Sequence, residues 1–140
     1  MLARQATCVA IGGLALMIEG PSGSGKSSLA LALIDRGARL VGDDSVLLEV
    51  RENRLLARPH PETRGLIEVR NLGLIEMAVC DAAPVALVVR LDEAAPRYIE
   101  APETIAIAGI ALPMVRLWPG GEILPRKAEL ALARFGLSPG

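Results

Sequence analysis

The sequence predicts an α/β fold: a mixed sheet with an N-terminal β-hairpin, a helix after a glycine-rich loop, and a C-terminal helix. Three observations carry that prediction. Two short β-compatible runs are separated by Gly12-Gly13; residues 20–28, GPSGSGKSS, stand between an apolar strand and an apolar helix; and a second buried strand, ending in Asp43-Asp44, follows that helix directly. Hydrophobic residues fill 51% of the 140 positions but aromatics only 2%, so Ala, Leu, Val and Ile must build the core. A chain of this length is long enough for one such core.

Taken in order, Thr7–Ile11 and Leu14–Glu19 read as the arms of a hairpin turned by Gly12-Gly13. Ile11 then pairs with Leu14, and counting outward sets Gln5 opposite Gly20. Residues 20–28 fit the pattern G-x-x-x-x-G-K-[ST], with Gly20, Gly25, Lys26 and Ser27 in the required places and Pro21, Ser22, Gly23, Ser24 and Ser28 completing the loop. Glycines let the backbone turn tightly and aim successive N–H groups at phosphate oxygens. By this motif Lys26 reaches the β- and γ-phosphates of a nucleotide such as ATP, the Ser27 hydroxyl binds Mg²⁺, and the positive end of the following helix faces the same anion.

KSSLALALIDRG reads as a helix of about three turns stopped by Gly37. Its apolar content leaves little polar face and predicts burial between the sheet and another layer or subunit. ARLVGDD is a short buried strand. A strand–helix–strand unit of this length predicts a parallel pair with a right-handed crossover, whose strands end at one sheet edge. Asp43 and Asp44 are therefore expected to converge on the loop.

Residues 46–50 and 55–57 form a further hairpin through Arg51-Glu52-Asn53-Arg54. RPHPETRG is a polar loop of the kind that approaches a substrate; it holds the single histidine, His60, read as a structural or substrate-loop residue rather than a catalyst. In IEVRNLGLIEM, Glu68 and Arg70 share one side if the segment is extended. PVALVVRL, at 84–91, is the strongest buried-strand signal of the second half, and DEAAPRYIEAPET is a polar connection holding Arg97. Residues 104–117 supply one or two strands broken by Gly109 and Pro113. From Leu124 or Pro125 to Phe135 the chain reads as an amphipathic helix, with Pro125 in its first turn and Gly136 just past its end. There is no internal repeat or interdomain linker.

A phosphate loop specifies a nucleotide and leaves the reaction open. Phosphoryl transfer needs a metal to neutralise the β/γ oxygens and a carboxylate to take the proton of the attacking hydroxyl. Asp43 and Asp44 offer adjacent carboxylates, one to coordinate or orient and the other to act as base. Glu68 is a candidate further metal ligand, and Arg70 and Arg97 are candidates to stabilise charge on the transferring group. Each also has a plainer reading: adjacent acids occur as solvated turn residues, Arg70 suits a surface ion pair, and Arg97 suits a solvated loop.

The formal charge of −1 supplies no general field for nucleic acid or an anionic membrane. No apolar run reaches the roughly 18 residues of a membrane helix, since Glu19 interrupts the first long one. Residues 2–17 superficially resemble a signal peptide but lead directly into the phosphate loop, so the expected location is cytoplasmic. Cys8 and Cys80 lack the spaced partners of a zinc site and are expected to be buried, reduced thiols.

GPSGSGKSSLALALIDRGARLVGDDSV together with IEVRNLGLI resembles the C-terminal catalytic domain of HPr kinase/phosphorylase. The short path from phosphate loop to acidic pair is the specific part of the likeness, which is strong over residues 3–77 and fades afterwards. The resemblance implies a P-loop kinase-like sheet and a single catalytic domain over 1–140, the short form without the family's N-terminal domain. It also implies ATP and Mg²⁺, an HPr-like phosphocarrier as partner, and assembly as hexamers. Gly20 to Ser28 would bind nucleotide, with Lys26 catalytic. Asp44 would accept the serine proton and return it in phosphorolysis, with Asp43 supporting it; Ser27 and Glu68 would hold metal. Arg70 lies in the family's Glu-aliphatic-Arg signature, and Arg97 falls near the place of a further catalytic arginine.

Three departures bear on activity. Gln5 stands where the family has a histidine, Asn71 stands where its signature has glycine, and LPMVRLWPGG retains only Pro113 and Arg116 of a Pro- and Arg-rich loop tied to phosphorolysis. Kinase activity is therefore expected in preference to phosphorylase activity. The alternatives are a nucleotide-binding regulatory module that has lost transfer, and a kinase or hydrolase for a small hydroxyl compound.

Overall fold

A computed structural model describes residues 1–139. Strands β1 (Leu2–Arg4), β2 (Thr7–Ile11) and β3 (Leu14–Glu19) lead into helix α1 (Lys26–Asp35) and strand β4 (Arg39–Gly42). Hairpins β5–β6 (Val46–Arg51, Arg54–Pro59) and β7–β8 (Leu66–Val69, Gly73–Glu76) follow, then β9 (Ala83–Leu91), β10 (Glu103–Ile107), β11 (Ile110–Leu117) and helix α2 (Leu124–Phe135).

The main sheet runs β1-β5-β6-β9-β3-β2-β4, with β11 joined to β9 and β10 to β11, while β7 and β8 pair with each other. β9 is its axis. It carries a nearly unbroken run of buried residues, as a strand covered on both faces must. Its first residues pair antiparallel with β6, and the rest run parallel to β3 and β11.

The hairpins form where local turn chemistry asks for them. Gly12 and Gly13 turn β2 into β3 in the expected register, from Ile11↔Leu14 to Thr7↔Ile18. Glu52 and Asn53, both at positive φ, turn β5 into β6. One expectation is overturned: β3 and β4 are not a parallel pair. β4 pairs antiparallel with β2, which lies between them because the hairpin has already occupied that flank of β3. Two antiparallel steps restore the direction, so β3 and β4 still finish at the same edge of the sheet.

Pro113 does not break the strand that contains it. It lies opposite Thr104, one residue before the Met114–Leu117 segment that pairs with β9, so its missing N–H costs no bond on that side. β1, on the far edge against β5, and β8 were not foreseen as separate strands.

Two apolar layers sandwich the sheet. Leu16, Ile18, Leu87 and Val89 face α1 and α2, which bury Leu29, Ala30 and Leu33 and Ala128, Ala131 and Leu132 against them. Cys8, Met17, Val88, Leu48, Leu112 and Met114 fill the other layer. The apolar α1 thus finds its cover within this chain, and its last turn is tied to α2 by Arg36, whose Nε and Nη2 donate to Glu129 at 2.9 and 2.7 Å. Cys8 is fully buried, which pushes its thiol pKa well up, whereas Cys80 is only half-buried; both are unbridged.

Candidate functional site

The phosphate loop leaves the end of β3 and closes on the first turn of α1. Gly20 approaches so closely that a Cβ there would lie 2.8 Å from Ser24 Oγ and 3.2 Å from Leu91 Cβ, and Gly25 starts the helix at φ 98°. Ser24 N–H donates to the Pro21 carbonyl at 3.1 Å, while the buried Ser24 hydroxyl has no partner. Lys26 Nζ donates to the carbonyls of Gly20 and Pro21 at 2.9 and 3.1 Å. The glycine-rich turn and the unpaired Ser24 hydroxyl leave a loop able to take up an oxygen-rich ligand.

Beside it, β4 ends at Gly42, where a Cβ would lie 2.4 Å from the Ser45 carbonyl oxygen; only glycine permits this reversal. The reversal separates the two acids. Asp43 is buried, 8% exposed, and its carboxylate accepts from Ser27 Oγ at 2.7 Å, Thr7 Oγ1 at 3.1 Å and the Glu68 backbone N–H at 2.9 Å. Asp44, at φ 65°, turns outward, with its N–H donating to Thr7 Oγ1 at 3.2 Å. Gln5 Nε2 donates to Asp44 Oδ1 at 3.4 Å. Gln5 and Gly20 line one cavity, in keeping with the outward count from the hairpin.

The other candidates fall at different distances from this centre. Glu68 reaches Asp43 through its backbone, and its side chain is exposed. Arg70 does not continue the strand beside it. It sits exposed in the β7–β8 turn, closed by Leu72 N–H to the Val69 carbonyl at 2.9 Å, so the extended run on which the shared side with Glu68 depended stops at Val69. Asn71 occupies the third position of that turn at φ 77°, a conformation asparagine tolerates almost as glycine does, so the turn survives the substitution. Arg97 lies over the Tyr98 ring, 5.5 Å from its centroid, and lines neither cavity beside the loop. His60 Nδ1 accepts from the Glu62 N–H at 3.2 Å, a local loop contact.

Residues not singled out from the sequence complete the edge. Glu19 is the last residue of β3, and its carboxylate accepts from Arg4 Nε at 2.6 Å and Arg90 Nη2 at 3.3 Å. These three line a cavity of about 780 Å³ together with Gln5 and Lys26. A second cavity, about 620 Å³, lies between the loop, Arg90, Asp92 and Pro119-Gly120, so the LPMVRLWPGG segment does arrive beside the P-loop. Arg116 in that segment bridges Glu103 at 2.8 Å and Asp92 at 2.9 Å. The Ala94 N–H, and then Arg116, hold the Asp92 carboxyl below its ordinary pKa. The available signal was one charged residue at or next to the end of each of two apolar strands, Glu19 and Arg90. Their direct pairing across the β3–β9 ladder needed the register. Thr7 gave no signal.

The glycine-rich loop, the helix behind it and the acid just past β4 at the same edge belong to a mixed α/β protein of kinase-like architecture. The model of the HPr serine kinase C-terminal domain matches residues 2–116, and the chain belongs to that family. It is similar to HPr kinase/phosphorylase of Mycoplasma mycoides, with 29% identity over 96% of this chain and 48% of the relative. It is likewise similar to that of Streptococcus thermophilus, with 35% identity over 78% and 40%. It thus spans about half the length, or less, of these curated relatives. The solved structure of the Hpr(Ser) kinase/phosphatase from Coxiella burnetii superposes with a TM-score of 0.86 at 27% identity, over 95% of this chain and 89% of that one.

Proposed function

We propose that the chain is a single catalytic domain that transfers a phosphoryl group from ATP to a serine of an HPr-like phosphocarrier. The observation that carries this reading is the 2.7 Å contact from Ser27 Oγ to the buried Asp43 carboxylate, with Asp44 beside it at the rim. A hydroxyl and a carboxylate are hard oxygen ligands suited to Mg²⁺, which binds few protein groups and keeps phosphate and water for the rest. Among the described residues no group of three or more His, Cys, Asp or Glu side chains could hold a metal, so Glu68 would join only by moving its side chain inward. When bound at Ser27 and Asp43, the ion would neutralise charge on the phosphate oxygens.

The protein's own groups then divide the work. The amides of residues 20–28 and Lys26 hold the phosphates, with Lys26 exchanging its carbonyl partners for them. Thr7 and the Glu68 N–H fix Asp43, leaving Asp44 as the exposed carboxylate able to take the proton of a serine hydroxyl. Arg70 and Arg97 are assigned to acceptor contact or loop structure rather than to the phosphates. The similarity to HPr kinases supports HPr as the acceptor and a phosphotransferase as the class.

Incubation with labelled ATP, Mg²⁺ and HPr-type carriers is expected to label a carrier serine. Nucleotide binding with no label on any carrier would refute the kinase reading. A second reading, a regulatory module that has lost transfer, is favoured by Gln5, which holds Asp44 with an amide that cannot relay a proton. Loss of a measured kinase activity in Asp44→Asn would dispose of it. The same glutamine argues for the kinase direction over phosphorolysis. Cytoplasmic location and assembly into hexamers belong to this proposal as well.

A further inference from the structure

Cross-strand register places Glu19, Arg90 and Arg116 in one row on three parallel strands, at the edge where the phosphate loop emerges. The three arginines of this edge are not equally held. Arg4 has the short contact to Glu19, at 2.6 Å, and Arg116 has both Glu103 and Asp92. Arg90 is left with one contact, 3.3 Å from Nη2 to Glu19 Oε1, on a carboxylate that already has the closer Arg4. The Glu93 carboxylate, on the wall of the second cavity, makes no ion pair among those of the described residues. Arg90 also lines both cavities flanking the loop, on the central strand, with its side chain 33% exposed.

We infer that Arg90 binds the terminal phosphate of a nucleoside triphosphate seated on the loop, with Arg4 and Glu19 as its positioning pair. The inference rests on the nucleotide-binding reading and adds the residue that distinguishes triphosphate from diphosphate. Glu19 is 11% exposed and could not lose every cation without leaving a buried charge. Because Arg4 stays on Glu19, Arg90 can swing from its long contact to the phosphate with no such penalty. A guanidinium suits this task, since its planar fork donates to two phosphate oxygens at once.

Equilibrium titration without acceptor tests the assignment, using a non-hydrolysable triphosphate analogue and the diphosphate, each with Mg²⁺. In Arg90→Gln, triphosphate affinity is expected to fall about tenfold or more while diphosphate affinity changes by less than about twofold. Arg90→Lys should lie between, keeping charge without the fork. Arg4→Gln, which leaves Arg90 as the sole partner of Glu19, should lower the triphosphate preference by a smaller factor; no change there would remove Arg4 from the device. Equal loss of both nucleotides in Arg90→Gln, or loss of neither, overturns the assignment, provided thermal melting shows the variant folded; if it does not fold, Arg90→Lys decides by the same criterion. A wild type that discriminates through Arg90 yet labels no carrier defeats the kinase reading alone. One that binds neither nucleotide overturns both.

Discussion

Two polar clusters flank Lys26, and they are built on opposite plans. On one side, short neutral donors from β2, α1 and β7 converge on the buried Asp43 carboxylate. On the other, two long cations share the Glu19 carboxylate, with side-chain exposures of 29% for Arg4 and 33% for Arg90. The first is satisfied and rigid, so any change to it leaves a buried group without a partner. In the second the carboxylate is 11% exposed but its two arginines reach solvent, so either cation can leave while the other stays on Glu19. A phosphoryl-transfer site has use for both: a fixed oxygen to set geometry, and a mobile charge to follow the phosphate.

Substitutions on the two sides of Lys26 should differ by degrees. Asp44→Asn should leave melting nearly unchanged and reduce carrier labelling by about 10² to 10⁴, the range of a lost general base. Asp43→Ala strands Thr7, Ser27 and the Glu68 N–H. It is expected to lower the unfolding free energy by about 2–4 kcal/mol and abolish labelling, so a stable Asp43→Ala protein would contradict the rigid-cluster description. Thr7→Val, which keeps shape but removes one hydroxyl serving both acids, should cost about 1–3 kcal/mol in denaturant titrations. On the second side, Glu19→Gln keeps the shape and one acceptor oxygen for Arg4 or Arg90, so it should cost less than Asp43→Ala, about 1–2 kcal/mol in denaturant titrations. A loss as large as that of Asp43→Ala would erase the contrast.

The smallest effect concerns acid. Arg36, first through its hydrogen bond, holds the Glu129 carboxyl below its ordinary pKa, so the pair's contribution is fully present above the unfolded carboxylate pKa. That contribution is lost as pH falls through the depressed folded value. Melting of Glu129→Gln followed from pH 7 to 3 should therefore converge with the wild type at the acid end; curves that stay parallel would remove the pair from the acid response.

Most of what is local in this fold could be read from the chain. The Gly12-Gly13 and Glu52-Asn53 turns, the loop and α1, and the span of α2 with Pro125 and Gly136 at its ends are set by residues that lie next to one another. The position of β4 was misread because an antiparallel neighbour and a parallel one look alike in ARLVGDD, and only the prior claim of β2 decides between them. The difference between Asp43 and Asp44 has the same character. They are chemically identical neighbours, and it is the tight reversal after Gly42, with Asp44 at φ 65°, that buries one and exposes the other. Arg90 was hidden for the strongest reason, since its meaning comes entirely from a strand partner 71 positions away.

That separation also shapes how the protein is made. β3 gains its second neighbour only when β9 is available, so the strand bearing the phosphate loop keeps an unpaired edge until residue 91 has been synthesised. Non-local pairings of this kind close slowly and leave sticky intermediates. The apolar β2–β3 hairpin then stays open along one edge until β9 arrives, and the glycine-rich loop at the end of β3 is among the last parts of the molecule to be fixed.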